Sequence, residues 1–173
     1  MSKKLTNIVA DIVRDAGGQV VGRTKLQKLT YVLVASGLEE EKLPFLYKHY
    51  GPYSEAVASA SREAHLLGMI KEKEELTTWG GSYSVYTSVA QRPDTVSTAR
   101  VELCQIATAA DAVELELAAT ALFLAKEEKR ADAWSETERR KPDKAANGRL
   151  EKAKILYQKL AAIDTPDPLP VIN

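Results

Sequence analysis

Cysteine and histidine are almost missing from this chain. Cys104 is its only cysteine, so no intrachain disulfide can form and a cysteine-based zinc cluster is excluded. His49 and His65 are its only histidines. Neither stands in a His-Glu-x-x-His spacing, so a zinc site would need scattered carboxylates. Gly-x-Ser-x-Gly elbows, P-loops and dinucleotide fingerprints are absent too. Gly80-Gly81 has neither a following helix nor a lysine to hold a phosphate, and reads as a turn. We therefore expect no metal, no cofactor and no catalytic residues. Net charge is also lacking, because 24 basic and 24 acidic residues cancel. That excludes a scaffold that coats nucleic acid by charge alone. No apolar run reaches the ~18–20 residues of a membrane span. The N-terminal stretch is interrupted by Asn7, Asp11 and Arg14 and lacks an apolar segment with a small-residue cleavage site, so no secretory signal is expected. The expected compartment is the cytoplasm.

What is present is an ordinary globular chain. Its 173 residues suit one domain, and an apolar content of 45% argues against wholesale disorder. Leu5, Ile8, Val9, Ile12, Val13 and Ala16 have the spacing of a helix with one buried stripe. Gly17-Gly18 ends it, and Val20-Val21 reads as a short extended link. Thr24 and Gln27 fit a capping box opening a second helix, which Gly37 closes. Phe45 to Tyr50 suits a short strand, punctuated by Gly51-Pro52. Ser54 suits the N-cap of a third helix running to Gly68. Met69–Leu76 and Ser82–Val89 read as a hairpin joined through Trp79-Gly80-Gly81. Further helices are predicted over 98–110, over 112–129 with a capping box at Asp111 and Glu114, and over 143–162. Pro166, Pro168 and Pro170 leave an extended tail.

This order is that of a winged helix, three helices followed by a β wing. The expected fold is mostly α with a small β hairpin: a winged-helix-like core over 1–90, a helical extension packed on it over 91–163, and a proline-rich tail over 164–173.

Gly22-Arg23-Thr24-Lys25-Leu26-Gln27-Lys28-Leu29-Thr30-Tyr31, followed by Tyr47-Lys48-His49-Tyr50-Gly51-Pro52-Tyr53-Ser54, resembles the YwgA-like bacterial and archaeal proteins. It is more distantly similar to the SocA-like or Panacea domain of antitoxins and proteolytic adaptors. Leu115–Lys126 with Lys141-Pro142-Asp143-Lys144 also looks YwgA-like. The Gly-Pro-Tyr-Ser form departs from the Gly-Pro-Val form of Panacea. The resemblance implies a winged-helix-like scaffold and regulatory or toxin-neutralising binding, and supplies no catalytic residues.

Tyr47, Tyr50 and Tyr53 suit a recognition surface, since tyrosine joins a large ring to a polar tip. The alternative is a structural clamp packed on the second helix. Trp79, at a hairpin tip, either meets a partner or folds back on the wing. Cys104, among apolar neighbours, reads as a buried small hydrophobe, and His65 as a helix-terminal cation.

Charge discriminates between partners. Residues 54–91 hold three basic against five acidic side chains, a poor phosphate surface. Residues 1–30 hold six basic against two acidic. The leading expectation is a non-enzymatic regulatory module that binds a protein, a toxin or regulatory partner. The alternative is a DNA-binding transcriptional regulator using Arg23, Lys25, Lys28 and Arg62. The helix over 112–129 is apolar almost all round, so it must be buried on every side. Either one monomer covers it, or it pairs across a two-fold axis; a homodimer is expected.

Overall fold

In the computed structural model, which describes residues 3–173, the first helix buries the stripe that its periodicity predicts. In α1 (Leu5–Asp15), Ile8, Val9, Ile12 and Val13 have no exposed surface. The chain then forms β1 (Gln19–Val21) and α2 (Arg23–Ala35). The predicted capping box at Thr24 and Gln27 does not form. The helix starts one residue earlier, behind Gly22 and without a side-chain cap. Gln27 is instead spent on a tertiary contact with Ser54, to which it donates at 2.9 Å and from which it accepts at 2.8 Å.

Gly51-Pro52 is not the break it was expected to be. β2 (Leu46–Lys48) and β3 (Gly51–Tyr53) pair antiparallel, with Tyr47 opposite Pro52, and the turn lies at His49-Tyr50. Proline is tolerated because both strands of a two-stranded sheet are edges and no ladder donor is needed there. Gly51 is required twice over. Its φ is +88°, and a Cβ there would lie 2.4 Å from Thr120 Oγ1. Ser54 then caps α3 (Glu55–Leu66), accepting from the Val57 amide.

β4 (Ile70–Leu76) and β5 (Ser82–Ser88) form the predicted hairpin, and β1 adds to it, giving an antiparallel sheet in the order β1-β5-β4. Its inner face buries Val20, Ile70 and Tyr86. His65, in the last turn of α3, also receives the Glu72 amide at Nδ1, at 3.0 Å.

The remaining helices are α4 (Thr98–Ala109), α5 (Ala112–Lys126), α6 (Ala133–Arg140), α7 (Pro142–Ala145) and α8 (Arg149–Ala161). Asp111 caps α5, accepting the amides of Val113 and Glu114. Two expectations are corrected here. The helix predicted over 143–162 is two helices, parted by Asn147 and Gly148 in left-handed conformation. α6 was not foreseen, because its buried face rests on Ala133, Trp134 and Thr137 among charged neighbours.

α5 is the hub. It packs against α2, α6, α8 and β3, and every residue from Leu115 to Leu124 is buried. Leu117 is fully buried and Phe123 is 7% exposed. The argument for a homodimer through this helix therefore fails, since its own chain covers it on every side. One hydrophobic core runs from Ile8 to Leu169. The proline-rich tail is bound rather than loose. The Asp167 amide donates to Ser36 at 2.9 Å, Lys126 pairs with Asp167 at 2.8 Å, and Leu169 is buried. Among the described residues the result is a mixed fold of eight helices and two small antiparallel sheets. No helix of the described residues is long and apolar enough to cross a membrane.

Candidate functional site: a cleft between α2 and α3

Where α2, α3, β3 and the β4–β5 hairpin meet, they leave a cleft of about 450 Å³. Five of the residues nominated from the sequence line it: Arg23, Lys28, Tyr50, Tyr53 and Arg62. Its wall includes the apolar Leu26, Val57 and Ala58, and Tyr86, Ser61 and Glu72 complete it. The other nominated residues lie elsewhere.

The two arginines and two lysines divide sharply. Arg62 is exposed and donates only to Ser59 Oγ, at 3.3 Å. Arg23 keeps 71% of its side chain exposed and stands 3.6 Å from Glu72, a loose pair. Lys25 is not free: its Nζ donates to Thr108 and Ala110 carbonyls at 3.0 and 2.7 Å, closing the end of α4. Lys28 is 1% exposed and donates to the Pro52 carbonyl at 2.8 Å. Burial lowers its pKa to about 7, with Lys141 and Lys144 adding to the effect and Glu116 opposing it. Two of the four cations nominated for a DNA backbone are thus committed inside the protein.

Lys28 belongs to a buried ionic cluster behind the cleft. Glu116, 3% exposed, receives Lys141 at 3.3 Å and Lys144 at 2.7 Å. Lys141 also donates to the His49 carbonyl, which ties the β2–β3 turn to α7.

Each nominated tyrosine carries a cation on its ring. Arg140 lies 4.8 Å from the Tyr47 centroid, Lys144 4.3 Å from that of Tyr50, and Lys48 4.6 Å from that of Tyr53. Tyr47 also packs on Phe123 at 6.1 Å and points away from the cleft lining, so it acts as a clamp between β2 and α5. Tyr50 is 58% exposed. Trp79 at the wing tip is 81% exposed, yet its ring lies over Gly81, where a Cβ would meet it at 2.5 Å.

Three cleft residues escaped sequence reading. Gln27 looked like a cap, Tyr86 like one more strand aromatic, and Glu72 like one charge in an alternating surface strand. Glu72 Oε2 faces Arg23 and receives Ser84 Oγ at 3.5 Å, while Oε1 is buried without a partner. The Tyr86 hydroxyl is raised above the ordinary tyrosine range by burial and by Glu72, against Arg23. The alternation of β4 against the β1-β5 register puts Glu72 opposite Tyr86, which is the signal that was present. Cys104 is fully buried and its thiol is pushed up to about 12 by burial, too high for a nucleophile at neutral pH. Among the described residues no cluster of His, Cys, Asp or Glu is placed to hold a metal ion. Compared with known proteins, the chain matches no family model and no curated protein.

Proposed function

We propose that this protein is a non-enzymatic regulatory module that binds another protein, and that its partner docks at the α2–α3 cleft. The observation that carries this reading is the composition of the cleft: an apolar wall, two accessible tyrosines and two exposed arginines, Arg62 without a carboxylate partner and Arg23 only loosely paired with Glu72. Tyrosine and arginine in a desolvated pocket are the residue types that dominate binding energy at protein interfaces. The scaffold reading that goes with it is a winged-helix-like unit. It is supported by the succession α1, β1, α2, α3 and the β4–β5 hairpin, with β1 completing a three-stranded sheet. The same reading agrees with what the resemblance to the SocA-like or Panacea domain implies, an antitoxin or adaptor role.

DNA binding draws less support. With Lys25 and Lys28 committed internally, Arg23 and Arg62 are left to meet phosphates, beside a wing where Glu72, Glu74 and Glu75 outnumber Lys71 and Lys73. The test is co-purification of tagged protein from its native host, in parallel with Tyr53→Ala and with duplex-binding measurements. A stoichiometric protein partner that Tyr53→Ala releases is the expected result. Tight duplex binding, with a salt slope equivalent to about six or more phosphate contacts, overturns it.

A further inference from the structure

The polar groups of the cleft are mismatched with one another, and the mismatch has a chemical shape. Glu72 is underbonded: one oxygen has only long contacts at 3.5 and 3.6 Å, and the other has no partner. Opposite in sign, Arg62 has no carboxylate within ion-pair distance among the described residues. Arg23 has only its loose pairing with Glu72. A buried acceptor without a donor is costly, and a guanidinium is built to take a carboxylate through two parallel bonds. The cleft thus lacks one donor and one acceptor at the same time, beside the partly exposed Ala58 and Tyr53.

A phosphodiester brings acceptors to the arginines but no donor for Glu72. A polypeptide supplies both kinds of group within one or two residues: a carboxylate on an acidic side chain or chain end, and a main-chain N–H next to it. Rotation about the terminal bond of Glu72, a soft torsion, turns its unpaired oxygen toward such a donor. A volume of about 450 Å³ accommodates a few residues rather than a folded domain.

Resting on the docking reading above, we propose that the cleft captures a short acidic segment of the partner polypeptide. The carboxylate of that segment sits on Arg23 and Arg62, a neighbouring N–H donates to Glu72, and an adjacent apolar side chain lies on Ala58 and the Tyr53 ring.

The test uses the full chain and two degenerate, fluorescein-labelled peptide pools. The pools differ only at the central position, glutamate in one and glutamine in the other, between apolar neighbours. Fluorescence polarisation should show the glutamate pool bound at least about tenfold more tightly. Arg62→Gln and Arg23→Gln should each reduce that preference, with circular dichroism unchanged. Glu72→Leu, which removes the acceptor, should weaken the glutamate pool several-fold while strengthening retention of inorganic phosphate. The crossed response separates a peptide carboxylate from a free anion. Equal binding of the two pools, binding of neither, or a preference that survives Arg62→Gln overturns the proposal. A host partner still released by Tyr53→Ala would leave the docking reading standing in each of those cases.

Discussion

A lysine buried at 1% exposure, with its amine held by one carbonyl and two other lysines nearby, should leave a signature in the pH dependence of stability. Its folded pKa is about 7, against 10.5 for the ordinary group. Between those values the unfolded chain binds a proton that the folded chain does not, so stability rises with pH across that window. Below about pH 7 the full penalty applies, and above about pH 10.5 it vanishes. Each unit of pKa shift corresponds to about 1.4 kcal/mol. Integrating from about pH 6 to about pH 9, the Lys28 contribution becomes more favourable by about 2–3 kcal/mol. Other groups titrate over the same range, so the comparison is with Lys28→Met, which keeps the stem and removes the amine. Urea unfolding of both proteins at the two pH values isolates the effect. The stability difference, wild type minus variant, should move in favour of the wild type by that amount as pH rises. A difference that is flat, or that shrinks with rising pH, refutes the reasoning and places the amine in contact with water.

Gln27→Leu removes a reciprocal pair of buried hydrogen bonds to the Ser54 backbone and should cost about 2–3 kcal/mol, more than the ~1 kcal/mol expected of Ser54→Ala, which loses a helix cap; urea titration ranks them. Gly51→Ala should lower the melting temperature, and Thr120→Ala in the same chain should restore only part of the loss, because it removes the 2.4 Å clash but leaves φ at +88°. Thr120→Ala alone should be neutral or stabilising in thermal melts, since its hydroxyl is buried without a partner. Leu117→Glu should abolish the folded state by circular dichroism rather than dissociate a dimer, because Leu117 has no exposed surface within its own chain; a folded monomer released from a dimer would contradict this.

Much of the backbone plan was legible because its signals are local. The apolar stripe of α1, the Ser54 and Asp111 caps and the β4–β5 hairpin each lie within a few residues of their cause. What was not legible depends on partners far along the chain. Lys28 reads as a surface cation until Pro52, Glu116, Lys141 and Lys144 are brought around it. Gly51-Pro52 reads as a break until Thr120 explains the glycine and β2 the strand. α6 carries too short an apolar face for periodicity to register. The site was legible in its members and not in its grouping. Arg23, Tyr50, Tyr53 and Arg62 were named, but only the packing of α2 against β3 and α3 against the wing gathers them around one cleft. Their counterweight, Glu72, stands in the sequence among the alternating charges of β4, with nothing local to set it apart.

The bound tail ties the order of synthesis to the order of assembly. The carbonyl of Ser36, at the end of α2, receives its bond from Asp167, and Pro166 Cβ comes within 3.1 Å of where a Gly37 side chain would begin. At ~5–20 residues per second, the ribosome delivers Asp167 on the order of ten seconds after Ser36. For the earlier part of that interval α2 also lacks α5, which packs against it. The C-terminal end of α2 is therefore finished late, although its own residues emerge early, while every residue lining the cleft lies between Arg23 and Tyr86.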